Sequence, residues 1–257
     1  MTFAPKKSLG QHFLVDGNLL GVIGRNAELR AADVVLEIGP GTGVLTRYLA
    51  ERVRVVHAIE LDRSLESPLR AALGDAANVH LAFADALKFD YGSLEPAPGK
   101  LVANLPYNVA TPIVVESLDA IPSLNRWCVM VQREVADRFF ATPRTKAYGA
   151  VSVLIQLRAR KVGFHRVPPS AFRPRPRVES AIVAFERVPG PSLDLVRPVV
   201  EASFAHRRKT LANSVTHAGL ATREDAERAL ARIGKAGNVR AEELEPDEFA
   251  LLAEAFR

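Results

Sequence analysis

Five short apolar runs, each closed by turn residues and separated from the next by a helix-length stretch, constrain this chain more than any other feature. They occupy residues 34–38, 54–59, 79–84, 100–103 and 126–131. Strands that are apolar on both faces, with room for a crossover helix between them, are what a parallel sheet covered on both sides requires. The intervening segments at about 45–52, 64–73, 111–118 and 134–140 carry apolar stripes at helical spacing, and Pro112 suits a first helical turn. The pattern predicts a doubly wound α/β domain. Two further runs, 161–167 and 180–186, flank a proline-rich loop and are expected to pair antiparallel at the sheet edge, closing a first domain over residues 1–187. Val188-Pro189-Gly190-Pro191-Ser192 reads as a linker. Beyond it, Leu195, Val199 and Ala202, then 223–233 and 246–256, predict a small helical domain over 188–257.

The first strand runs into Glu37-Ile38-Gly39-Pro40-Gly41-Thr42-Gly43 and then a helix. Glycines at alternate positions clear side chains from a turn that must approach a ligand, and the helix beyond it presents unpaired N–H groups. A dinucleotide fingerprint needs its third glycine three places after the second, where Val44 stands instead. The spacing therefore points away from NAD and toward S-adenosylmethionine, although a glycine-rich turn alone would also serve a purely structural role. The next two strands end in Glu60 and Asp85, at positions that face the ligand crevice in such a sheet. A carboxylate at the first suits ribose hydroxyls and one at the second suits an adenine amino group. Asp62 and Asp90 read as surface or capping residues.

The fourth strand ends in Asn104-Leu105-Pro106-Tyr107. An exocyclic adenine amine is a poor nucleophile because its lone pair is delocalised into the ring. The Asn104 side-chain oxygen and the Leu105 carbonyl can accept both amine hydrogens and favour a pyramidal nitrogen. Pro106 fixes the turn and has no N–H of its own, and Tyr107 can stack on a base splayed from its helix. Positioning rather than a strong general base would supply the rate. The six histidines are scattered without metal-ligand spacing, so no metal is expected.

Charge bears on the substrate. The chain has a formal net charge of +5, and residues 158–187 alone hold eight bases against two acids, Glu179 and Glu186. Such a segment suits a phosphate backbone, while an ordinary solvated face would look the same on charge alone. No run reaches the roughly 20 apolar residues of a membrane span, and the single cysteine, Cys128, lies in an apolar run, so a cytoplasmic protein with no membrane association is expected.

With these segments in view, the sequence resembles the ribosomal RNA adenine N6-dimethyltransferase family, and within it the bacterial small-subunit branch. Further segments carry the likeness: Lys7-Ser8-Leu9-Gly10-Gln11-His12-Phe13-Leu14, Lys146-Ala147-Tyr148-Gly149, the run from Phe172 to Ser180, and Arg207-Arg208-Lys209-Thr210. The resemblance implies a Rossmann-like class I S-adenosylmethionine-dependent methyltransferase sheet with a small C-terminal helical domain. It implies that Gln11, His12, Leu14, Glu37, Gly39, Gly41, Glu60, Leu61, Asp85, Ala86 and Asn104 hold the cofactor. Asn104, Leu105, Pro106 and Tyr107 would hold the target adenine, with Phe172 covering it from the opposite face. Lys146, Arg173, Arg175, Arg207, Arg208 and Lys209 would meet RNA. His12 is a partial departure, since the family often has Asn there. The implied reaction is dimethylation of two adjacent adenines in the terminal hairpin of 16S rRNA by a monomer, with a role in small-subunit assembly. The large-subunit dimethyltransferases share the chemistry. A noncatalytic RNA-binding factor that kept the fold, or a methyltransferase of protein amides or DNA adenine, would share part of the pattern.

Overall fold

The computed structural model describes residues 11–206 and 208–256. In chain order the elements are β1 (Phe13–Leu14), α1 (Asn18–Asn26), β2 (Val34–Ile38), α2 (Val44–Ala50), β3 (Val55–Glu60), α3 (Glu66–Leu73), β4 (Val79–Phe83), β5 (Lys100–Asn104), α4 (Ala110–Ala120), β6 (Arg126–Gln132), α5 (Arg133–Phe139), α6 (Ala150–Gln156), β7 (Ala159–Val167), β8 (Phe172–Arg173), β9 (Ser180–Arg187), α7 (Leu193–Phe204), α8 (Leu211–His217), α9 (Arg223–Arg232) and α10 (Pro246–Ala255). They form two compact units, Met1–Ala136 with Lys161–Arg187, and Asp137–Arg160 with Val188–Arg257.

The first unit is built on a seven-stranded sheet in the order β4-β3-β2-β5-β6-β9-β7, with β1 and β8 forming a separate antiparallel pair. Strands β2 to β6 run parallel to one another, and β9 runs antiparallel to β6. The central strands are buried on both faces because helices cover both, which is why they read as unbroken apolar runs rather than alternating ones. Strand order reverses between β2 and β5, so the crevice beyond their C-terminal ends is where this architecture receives a ligand. Within this unit Trp127 donates Nε1–H to Ser117 Oγ at 2.9 Å and stacks on Phe185. Arg187 donates to the carbonyls of Leu118, Ile121 and Leu124, capping the end of α4. It is thus one base of the positive segment that serves the fold.

The second unit is helical, with α7 packing on α6, α8 and α10. It takes in residues 137–160, which the sequence pattern grouped with the sheet. The reason is a set of contacts that alternation does not encode. The Tyr148 hydroxyl donates to the Leu244 carbonyl at 2.7 Å, and the Tyr148 and Phe249 rings both contact Phe204. Among the described residues no helix is long and apolar enough to cross a membrane.

Candidate active site

The turn after β2 starts from glycines in left-handed backbone, with φ of 72° at Gly39 and 60° at Gly41. A Cβ on Gly39 would lie 3.3 Å from the Pro106 ring, and one on Gly41 would lie 3.0 Å from the Phe13 ring. The glycine turn therefore packs closely against the turn after β5 and against β1, and both closures need the missing side chains. This juxtaposition makes one cleft at the reversal of strand order. Gln11, His12, Leu14, Glu37, Gly39, Gly41, Glu60, Leu61, Asp85, Ala86, Asn104, Leu105, Pro106 and Tyr107 all line it. The expected cofactor residues and Asn104 to Tyr107, drawn from five separate stretches of chain, thus line a single cleft.

Its acids are not equivalent. Glu60 closes β3 with Oε2 accepting the Gly41 N–H at 3.0 Å and Oε1 accepting the Asp62 N–H at 2.8 Å. Burial raises its pKa, and those two N–H groups oppose the rise. Glu37, only 1% exposed, is pushed up to about 8, first by burial and further by the neighbouring Glu60. The Thr46 hydroxyl lies close enough to oppose the rise, yet neither it nor Glu37 Oε2 makes a well-aligned hydrogen bond. Asp85 Oδ1 accepts the Leu87 N–H at 3.0 Å, which orients the carboxylate just beyond β4. Asp62 and Asp90 cap short helical turns, as the sequence suggested, but Asp62 is buried rather than superficial, and Gln11 Nε2 donates to it at 3.0 Å.

At the turn after β5 the Asn104 amide donates Nδ2–H to the His12 carbonyl at 3.1 Å. Its Oδ1 takes no hydrogen bond among the described residues, and neither does the Leu105 carbonyl. Leu105 N–H is committed to the Met130 carbonyl and Pro106 carbonyl to Val109 N–H. Two acceptors are thus left open beside each other. The Tyr107 hydroxyl is 2.5 Å from Ser180 Oγ, its ring stacks on His12, and burial raises its pKa.

The model of the family described as ribosomal RNA adenine dimethylase matches residues 2–257. The chain belongs to that family. A relative from Rubrobacter xylanophilus, named ribosomal RNA small subunit methyltransferase A, is 50% identical over 96% of this chain and 94% of its own. Another of the same name from Syntrophotalea carbinolica is 43% identical over 99% of this chain and 97% of its own. Among solved structures, a dimethyladenosine transferase from Plasmodium falciparum superposes with a TM-score of 0.80 at 24% identity, covering 94% of this chain and 96% of that one. The 23S rRNA methyltransferase ErmE superposes with a TM-score of 0.68 at 30% identity, covering 95% and 99%. The fold is the class I S-adenosylmethionine-dependent methyltransferase fold, and the chain is an rRNA adenine dimethyltransferase.

For this dimethylase the other expected site residues fall differently. Phe172 does not line the cleft. Its side chain is 0% exposed and sits in the core cluster with Leu14, Ile23 and Val167, because the β1–β8 pair sets Phe172 opposite Leu14. In this structure the ring is packed in the core, whereas the sequence set it over the target base. Arg173 and Arg175 are exposed in the loop of the first unit, and Lys146, Arg208 and Lys209 are exposed in the second. Arg207, like Lys7 to Gly10 of the N-terminal segment, lies outside the described residues. Ser180, the partner of Tyr107, and Leu87, an exposed apolar side chain on the rim, had no assigned role in the sequence. Ser180 was legible only as the end of the arginine–proline run.

Proposed function

We propose that this dimethylase uses S-adenosylmethionine to place two methyl groups on each of two adjacent adenines in the 3'-terminal hairpin of 16S rRNA. We further propose that it acts as a cytoplasmic monomer on a nearly assembled small subunit and takes part in that assembly. The observation that carries the chemistry is the open pair of acceptors, Asn104 Oδ1 and the Leu105 carbonyl, beside the glycine turn. The small-subunit assignment draws on relatives of that name at 50% and 43% identity, against 30% for the 23S enzyme.

The cleft suits the cofactor. Gly39 and Gly41 leave backbone bare where side chains would fill the space. Glu60 suits the ribose hydroxyls and Asp85 the adenine amino group, and Leu61, Ala86, Gln11 and Leu14 line the same cleft. The unpartnered Glu37 Oε2 suits a cationic donor such as the amino group of the methionyl end. When bound, S-adenosylmethionine supplies an electrophilic methyl carbon on a sulfonium. Asn104 Oδ1 and the Leu105 carbonyl each accept one hydrogen of the target amine, turning its lone pair out of conjugation. Tyr107 stacks on the base and holds it out of the RNA helix. The surplus proton passes to water after transfer. The apolar wall excludes water from the reacting centre.

The test is methyl transfer from labelled S-adenosylmethionine to undermethylated small subunits, large-subunit RNA and adenine-containing DNA. Label is expected in small-subunit RNA, and label confined to either of the others would overturn the assignment.

A further inference from the structure

We propose that the His12 ring is a positioning residue for the target base, backing Tyr107 so that a splayed adenine completes a three-ring stack. The proposal rests on Tyr107 being the surface on which the base stacks. The sequence had assigned His12 to the cofactor, and the geometry points to a role on the RNA side of the same cleft.

The His12 and Tyr107 ring centroids are 5.1 Å apart with planes 28° from parallel. No other ring lies against Tyr107 among the described residues, and Tyr107 lines the cleft in which a base would meet it. The stack is pinned at both ends. His12 Nδ1 lies 2.7 Å from the Pro174 carbonyl oxygen, which can only accept, so Nδ1 donates and the bond holds the plane of the ring. The Tyr107 hydroxyl is held at Ser180 Oγ. The main chain of His12 accepts from Asn104 Nδ2, which leaves Asn104 Oδ1 open. One residue thus sets the plane of the stacking ring and the orientation of the amide. Pro174 also belongs to the loop that carries exposed Arg173 and Arg175, so His12 joins the catalytic turn to the stretch offered to RNA phosphates.

A solvent-wetted ring pair of this kind contributes a factor of about two to ten. The test compares His12→Ala, His12→Asn and His12→Phe in the full chain, each alone and with Tyr107→Leu. Steady-state KM and kcat are measured on undermethylated small subunits, and the affinity for S-adenosylhomocysteine is measured by calorimetry. Losing the ring, in His12→Ala and His12→Asn, should lower kcat/KM for RNA about tenfold, mainly through KM, with S-adenosylhomocysteine affinity within about twofold of wild type. His12→Phe, which keeps a ring but cannot bond Pro174, should recover most of the loss. With Tyr107→Leu already present, removing the His12 ring should have no further effect. A loss of S-adenosylhomocysteine affinity instead would return His12 to the cofactor site and overturn the proposal, as would unchanged kinetics, failure of Phe to rescue, or additive losses with Tyr107→Leu. If His12→Ala does not fold, the Asn and Phe variants carry the comparison. Failure of the wild-type protein to methylate any RNA would instead refute the proposed function, a result distinct from these.

Discussion

Asn104 gives its amide N–H to the His12 carbonyl at 3.1 Å, and that one bond decides which atom of the amide is left open in the cleft. An amide held the other way would present two donors to an amine that needs acceptors. The N-terminal segment, far from β5 in sequence, thereby sets the polarity of the catalytic turn.

Replacing Asn104 with Ala removes the acceptor and leaves the glycine turn, Glu60 and Asp85 untouched. Methyl transfer should fall by about 10²-fold or more, as expected for loss of alignment at a reacting atom. S-adenosylhomocysteine affinity should change only a few-fold by calorimetry. Equal loss of both would mean that Asn104 serves the cofactor rather than the target.

Phe172 separates packing from recognition. A fully buried ring of this size, removed in Phe172→Ala, should lower stability by about 3–5 kcal/mol, read as the midpoint of urea unfolding. Phe172→Leu, which keeps most of the volume, should restore stability and activity together. Activity that stays low in a fully stable Phe172→Leu protein would return this residue to the target site.

Glu37 makes the cofactor-free protein sensitive to pH. Its carboxyl titrates near 4.5 when free and at about 8 in the fold, because burial disfavours the charged form. Between those values the folded state holds a proton that the unfolded chain has lost. Its contribution to stability is therefore full below pH 4.5 and declines as pH rises toward 8. The decline is at most about 1.4 kcal/mol per pH unit. Compared by urea unfolding at about pH 5 and about pH 8, Glu37→Gln should gain on wild type at the higher pH. A constant difference between the two proteins would show that Glu37 stays charged in the fold.

The exposed bases make a prediction about salt. Arg173→Ala with Arg175→Ala, and separately Arg208→Ala with Lys209→Ala, should weaken small-subunit binding and reduce the slope of log affinity against log salt. The slope should fall by about 1 for every phosphate that a removed base had neutralised. A pair whose removal leaves the slope unchanged is not at the interface. Arg187 is excluded from this set because its guanidinium is spent on the carboxyl end of α4.

What the sequence made legible follows from local rules. The five central strands stand out because a parallel sheet buried on both faces demands continuous apolar runs, and the positions of Glu60, Asp85 and Asn104 then follow from strand ends facing the crevice. The elements that escaped are those set by tertiary contact. Helix α1 carries Gly21 and Gly24, which weaken its helical signal, and the Tyr48 hydroxyl packs where a Cβ on Gly24 would stand. Helix α6 has the composition of a strand, Val151-Ser152-Val153-Leu154-Ile155, and is helical through burial in its unit, with Ser152 Oγ donating to the Arg138 carbonyl. The two-residue pair of β1 with β8 is too short to show a period, and it sets Phe172 opposite Leu14 in the core.

The central claim is that this dimethylase converts adenine amines of the small-subunit RNA to their dimethyl form through the Asn104 turn. The most direct measurement is mass spectrometry of nucleosides and of hairpin fragments after small subunits lacking the modification are incubated with the protein and S-adenosylmethionine. The account predicts N6,N6-dimethyladenosine at two adjacent positions with wild type, formed about 10²-fold or more slowly with Asn104→Ala. Absence of dimethyladenosine with wild type, or its formation at an undiminished rate with Asn104→Ala, would contradict it.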